Sequence, residues 1–244
     1  MANIRKMVRN SKVHYDSFTK YVSRCSLHDY LLTFRYPFLV GCSLYEGELL
    51  KQTNYPVRAT FRFKPFLSEF VEVYQDSAVN RSLFVLRKDE ESLPGPFFTI
   101  GRHANNTISI VDYAVSKEHA VIQKHKEKGY FLVDRGSTNG TCLNGERIDS
   151  NKPYHLSSND VISFGRFGFM LMRPISLFIK TRCFLNMESS LKKELREILK
   201  IIKFRSLIRV AQKNKIPWKY RSEEDLREEL CDKVPVIDFL DQLC

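Results

Sequence analysis

The 244 residues, 43% apolar and 27% charged, hold enough apolar side chain for a packed core, which excludes wholesale disorder. No run approaches the roughly 18 apolar residues of a membrane span, the first ten residues lack the apolar core of a secretory signal, and six scattered cysteines read as free thiols of a cytoplasmic, reducing setting. Thirty-nine basic against 28 acidic residues give +11, a charge that points toward phosphates without saying which.

Three segments of different texture follow one another: 1–80, 81–174 and 175–244. In the first, a mixed α/β extension, Asp16 stands where it would cap a helix. The apolar residues Phe18, Tyr21, Val22 and Cys25 of that helix fall at three-to-four spacing. Residues 37–41 and the alternating 57–63 read as strands. His14, Cys25, His28, Asp29 and Cys42 tempt a reading as zinc ligands or a Cys-His nucleophile. Their spacing supports neither.

The second segment reads as short strands between polar turns, at 83–86, 97–100, 107–111, 120–124, 130–134, 141–143, 161–165 and 168–172. Asn144-Gly145 is a strong hairpin signal. Strands at this rhythm, with no helical periodicity between them, predict a β-sandwich.

The third segment is helical. Leu191, Leu195, Ile198, Leu199 and Ile202 mark one apolar stripe, running on toward Leu207 and Ile208, and Ile216-Pro217-Trp218 ends it. Ser222 with Asp225 resembles a capping box that opens a second helix from Glu223 to about Cys231. Pro235 suits the first turn of a last one. Charge is polarised here: eleven basic and two acidic residues over 191–221, then two basic and eight acidic over 222–244. Three readings fit the basic block: the solvated face of a packed helix, a partner for the acidic block, or a surface for nucleic acid or membrane.

The residues with chemistry lie in loops of the strand-rich segment: Gly101-Arg102, then Ser116-Lys117-Glu118-His119, then Ser137-Thr138-Asn139-Gly140-Thr141. Arg102 offers a guanidinium fork suited to an oxyanion. Ser116 and Thr138 offer hydroxyl donors, Lys117 a mobile positive charge, and Asn139 an amide that donates and accepts. Cations and neutral donors without a carboxylate beside a base describe recognition of an anion and a peptide; they do not describe catalysis.

These loops, over 82–173, resemble the forkhead-associated (FHA) domain: Gly-Arg, Ser-x-x-His and Asn-Gly in order, with an Asn-Gly hairpin after them. The resemblance implies a mostly β fold, an eleven-strand sandwich whose loops at one end bind phosphothreonine in an extended peptide. It assigns phosphate contacts to Arg102, Ser116, Lys117 and Thr138, and the peptide backbone to Asn139. Gly101, His119 and Gly140 shape the loops. Ala114 stands where relatives that prefer an acidic residue three places after the phosphothreonine often have a basic one, so no such preference is expected.

The chain therefore reads as a non-catalytic adaptor in kinase-linked signalling, with no cofactor, no metal site and no membrane partner expected. A C-terminal helical module that faintly resembles the SAP motif is set beside the FHA domain. The alternatives are a structural scaffold, or a protein whose C-terminal helices bind nucleic acid while the FHA domain recruits partners.

Overall fold

The structure is a computed structural model and describes residues 12–44, 47–50, 60, 62–65, 82–87, 97–125, 127–201 and 203–234. The chain divides into two compact units: Met1–Ser17 with Tyr36–Met172, and Phe18–Arg35 with Arg173–Cys244.

The first unit is a β-sandwich. Among the described residues its larger sheet has seven strands in the order β1 (Lys12–His14), β5 (Ser82–Val85), β2 (Phe38–Leu44), β14 (Phe167–Met172), β13 (Val161–Phe164), β10 (Thr141–Leu143) and β11 (Glu146–Arg147). The facing sheet has five, β12 (Tyr154–Leu156), β9 (Gly129–Asp134), β8 (Ala120–His125), β6 (Phe97–Gly101) and β7 (Ile108–Ser109). A separate hairpin joins β3 (Gly47–Leu50) to β4 (Arg62–Pro65). The inner faces meet in an apolar core that includes Leu39, Phe84, Ile100, Ile122, Leu132, Phe164 and Phe169. Alternation puts these side chains there: on β8, Ala120 and Ile122 are buried while Val121 and Gln123 are half-buried. Asn144 and Gly145 sit at φ 53° and 87°, the pair of positive values that a tight two-residue hairpin needs.

The expected boundary between 80 and 81 does not separate two folding units. Strand β2 lies between β5 and β14, Leu39 enters the sandwich core, and β1 pairs with β5. Residues 82–173 supply ten described strands, and the N-terminal segment adds two to the larger sheet in place of the expected self-contained set of eleven. Edge strands need partners for their open backbone groups, and a segment distant in sequence provides them here.

The second unit is helical. It holds most of α1 (Tyr15–Val22), α2 (Leu27–Thr33), α3 (Pro174–Phe184), α4 (Glu188–Ile201), α5 (Phe204–Lys213) and α6 (Glu223–Lys233). The ring of Tyr30 packs 6.0 Å from Phe18 and 4.8 Å from Phe178, so residues far apart in sequence share one core. Asp16 lies inside the first turn of α1 rather than at its cap, where its charge still suits the helix dipole. Ser222 caps α6 as expected, its Oγ accepting from the Asp225 N–H at 3.1 Å. The apolar stripe read as one run divides at Lys203, the N-cap of α5. Helix α3 went unread because Ile175, Leu177, Phe178 and Ile179 are all buried, leaving no polar face to make a period. The strand expected at 57–63 lies largely outside the described residues, and the helix expected at Pro235 wholly so.

Candidate phosphopeptide site

Strand register brings the predicted loops to one end of the sandwich. Ile100 at the end of β6 pairs with Ala120 at the start of β8, and Ala120 pairs with Asp134 at the end of β9. In the other sheet Thr141, where β10 begins, pairs with Phe164, where β13 ends. The loops 102–107, 110–119 and 135–140 and the turn 165–166 therefore all leave their strands at the same end.

Backbone bonds lock these loops together. Arg102 N donates to Ser116 O at 2.8 Å, His119 N to Ile100 O at 2.8 Å, and Arg135 N to His119 O at 2.9 Å. Gly101 permits the approach: a Cβ at that position would overlap the Lys117 carbonyl.

Each predicted side chain can be followed. Arg102 is half-buried; its Nε donates to Val115 O at 3.2 Å, one Nη to Thr60 Oγ1 at 3.4 Å, and its guanidinium lies 5.4 Å from the Tyr113 ring centre. The Oγ of Ser116 accepts the Thr138 N–H at 3.0 Å and donates to Thr138 Oγ1 at 3.4 Å. These two hydroxyls and the Arg102 fork share one end of the sandwich, where an anion can meet them. Asn139 donates its side-chain amide to Ala114 O at 2.8 Å. Lys117 is exposed, and its ammonium has no hydrogen-bond or ion-pair partner among the described residues.

Two buried polar groups hold the loops from beneath. His119 is fully buried; its Nδ1 accepts the Ser116 N–H at 3.1 Å, which makes Nε2 the donor to Gly140 O at 3.1 Å. Burial pushes its pKa down to about 4, against the opposing pull of the Gly140 carbonyl and the Asp134 charge, so the ring is neutral at physiological pH. Asp134 accepts from Gly136 N and Ser137 N at 2.9 and 3.0 Å. Its carboxylate also takes the hydroxyls of Ser137, Thr141 and Ser150 at 2.5, 2.7 and 2.9 Å. Burial raises its pKa, but these donors outweigh burial and the net shift is downward.

Sequence reasoning missed Asp134, Tyr113, Asp112 and Arg166 at this end. Asp134 was legible in part, since an aspartate just before a Gly-Ser turn is the usual acceptor of the backbone two residues on. Ala114 is fully buried and turns its carbonyl, not a side chain, to the site. Among the described residues no cluster of His, Cys, Asp or Glu could hold a metal ion.

Residues 98–165 match the FHA domain family. This segment is an FHA domain. Over 74 residues the chain is 42% identical to mouse (Mus musculus) "Angiogenic factor with G patch and FHA domains 1", covering 28% of this chain and 10% of that protein. Over 75 residues it is 37% identical to the "Oxoglutarate dehydrogenase inhibitor" of Corynebacterium diphtheriae, 31% of this chain and 50% of that one. Mouse "Smad nuclear-interacting protein 1" is 31% identical over 97 residues, 32% and 25% of the respective chains. The chain thus spans between a tenth and a half of these relatives' lengths. Among solved structures, "Mycobacterium tuberculosis EmbR in complex with low affinity phosphopeptide" aligns at 31% identity and TM-score 0.30, over 33% of this chain and 20% of that one. The FHA domain accounts for the sandwich end described above; the helical unit lies outside the matched residues.

Proposed function

We propose that the FHA domain binds a phosphothreonine-containing peptide and that the protein acts as a non-catalytic adaptor in kinase-linked signalling. One observation supports this most: register and backbone bonds bring Arg102, Ser116 and Thr138 to the same end of the sandwich, with Asn139 beside them. Phosphothreonine brings about −1.5 to −2 charge and three acceptor oxygens, which such a set of donors can take up together. In this reading Arg102 and Ser116 hold the phosphate, Lys117 and Thr138 add contacts, and Asn139 fixes the peptide backbone. Gly101, His119 and Gly140 keep the loops in shape.

Calorimetric titration tests it. The phosphothreonine peptide should bind, the phosphoserine version more weakly, and the unmodified peptide not at all. A charge-assisted hydrogen bond contributes about 1.5–3 kcal/mol, so Arg102→Ala should weaken binding roughly tenfold to a hundredfold or more. Equal affinity for phosphorylated and unmodified peptides would reject the reading.

A second reading is favoured by the surface of α5. Arg205, Arg209 and Lys213 repeat every four residues and are exposed, while Leu207, Val210 and Ala211 bury the opposite face. The three cations have no acidic partner among the described residues. Of the acidic block, Glu223, Glu229 and Asp232 pair elsewhere, with Arg227, with Arg221 and Lys233, and with Arg196. This row suits a polyanion such as a nucleic-acid backbone. The intact protein should then bind duplex with a steep salt dependence, its slope reduced by about three in Arg205→Gln/Arg209→Gln/Lys213→Gln. Binding that ignores salt, or an unchanged slope in the triple variant, would dismiss it.

A further inference from the structure

We propose that Asp112 and Arg166 form a positioning pair that aims Asn139 and Arg102 into the phosphopeptide site. Neither residue belongs to the loop motif; they are 54 positions apart and meet only in the folded sandwich.

Asp112 sits where the loop from β7 turns back toward Ser116. Its Oδ1 accepts the Ala114 N–H at 2.7 Å, its own N–H donates to Ile110 O at 2.9 Å, and its carbonyl accepts the Val115 N–H at 3.1 Å. The other carboxylate oxygen, Oδ2, takes a charge-assisted hydrogen bond from the Arg166 guanidinium. That pair is largely withdrawn from water, with side-chain exposures of 11% for Asp112 and 30% for Arg166, so screening weakens it less than a surface pair.

The consequence lies in the next three carbonyls. Ala114 O accepts the Asn139 side-chain amide at 2.8 Å, Val115 O accepts Arg102 Nε at 3.2 Å, and Ser116 O accepts Arg102 N at 2.8 Å. A peptide plane whose N–H is fixed has its neighbours' carbonyl directions restricted too, because only two soft dihedrals per residue remain. Asp112 therefore sets the direction of the acceptors that orient both binding side chains. The β13–β14 turn presses on the same spot from the other sheet. Gly165, at φ +61°, lies so close that a Cβ would come within 2.5 Å of Ala114 O. Arg166 is the next residue, its guanidinium 5.3 Å from the centre of the buried Phe167 ring, which anchors the cation to the core.

The pair also has an electrostatic part. Asp112 is a carboxylate in the loop that frames an anion site, and Arg166 neutralises it. Removing the arginine alone leaves a negative charge close to an incoming phosphate, and removing the carboxylate frees the loop. Asparagine at 112 keeps an oxygen for the Ala114 N–H but loses the ionic partner.

The affinity part of the test rests on the phosphopeptide reading; the structural part does not. Without ligand, side-chain amide exchange of Asn139 followed by NMR should be slow in the wild type, fast in Asp112→Ala, and intermediate in Asp112→Asn and Arg166→Gln. With phosphothreonine peptide, Asp112→Ala should weaken binding about tenfold and Asp112→Asn about threefold, in line with loss of one or part of one hydrogen-bonded support. In an Asn139→Ala background the Asp112→Ala penalty should shrink, because part of its effect runs through the missing amide. Unchanged Asn139 exchange in Asp112→Ala, or penalties that simply add, overturns the proposal. If the wild type binds no phosphopeptide, the functional reading fails while the exchange experiment still decides the positioning role. Arg166→Gln serves should Asp112→Ala not fold.

Discussion

The sandwich and the helical unit each bury a charged group, and they hold it in opposite ways. In the sandwich, Asp134 accepts two backbone N–H groups and three hydroxyls, all neutral donors from loops that meet beneath the site. In the helical unit, Arg182 is 4% exposed and ties α3 to two other segments. It reaches Glu194 at 3.5 Å, Cys25 O at 2.6 Å and Ser190 Oγ at 3.2 Å, while its Nε finds no acceptor among the described residues. Glu194 in turn accepts the Leu27 N–H at 2.8 Å. Many short-range donors around one carboxylate fix loop shape, which a binding site needs. A buried ion pair between distant segments fixes which helices pack together and does little for local precision.

The strongest way to break that comparison is to remove Arg182. Arg182→Ala leaves Glu194 without its buried partner and releases the 25–27 turn, so the helical unit should lose about 3–5 kcal/mol. Denaturant unfolding followed by far-UV circular dichroism measures this. A loss under about 1 kcal/mol would mean that the apolar core alone selects the helix pairing.

Acid should strike the sandwich from the side of His119. The ring is neutral when folded, with its pKa near 4, and takes up a proton below about 6.5 once unfolded. Its contribution is therefore complete above pH 6.5 and lost as pH falls toward 4, to a total of about 3 kcal/mol. Asp134, its pKa depressed, withdraws a further contribution as pH falls below the ordinary carboxylate value of 3.8. Urea titrations of sandwich amides by NMR at several pH values should show this slope, and His119→Gln should flatten the part between 6.5 and 4. A wild-type profile that is flat there contradicts a neutral buried ring.

The smallest effect sharpens the difference between fixed and mobile donors. Ser116→Ala removes a hydroxyl already bonded to the Thr138 N–H and should cost about 1–3 kcal/mol of phosphopeptide affinity. Lys117→Ala removes an exposed ammonium and should cost about 1 kcal/mol or less, vanishing at high salt. Isothermal titration at two salt concentrations separates them, and equal penalties at both would undo the ranking.

How much of this could be read beforehand differs between the two units. Strand alternation over 97–172, the Asn144-Gly145 turn and the three loop motifs were legible because each is a local pattern with its own physical cause. The Ser222 cap was legible for the same reason. The insertion of β2 between β5 and β14 was not, because strand pairing across roughly forty residues to β5 and well over a hundred to β14 leaves no mark in any of these strands. Helix α3 escaped notice because its buried residues run unbroken from Ile175 to Ile179 and make no helical period. Nothing near Asp112 in the sequence announces Arg166, which meets it from 54 positions away.

The sequence by itself determined a β-sandwich with a donor-rich end and a polarised helical tail, since periodicity, turn residues and charge are properties of neighbours along the chain. Tertiary structure alone decided that residues 12–14 and 38–44 complete the sandwich sheet. It also decided that residues 18–34 share a core with the C-terminal helices, that Arg182 is buried while Arg205 and Arg209 face solvent, and that Arg166 reaches Asp112. Those outcomes depend on which open strand edge or apolar face finds a partner, and the partners come from parts of the chain too far apart for any local pattern to name them.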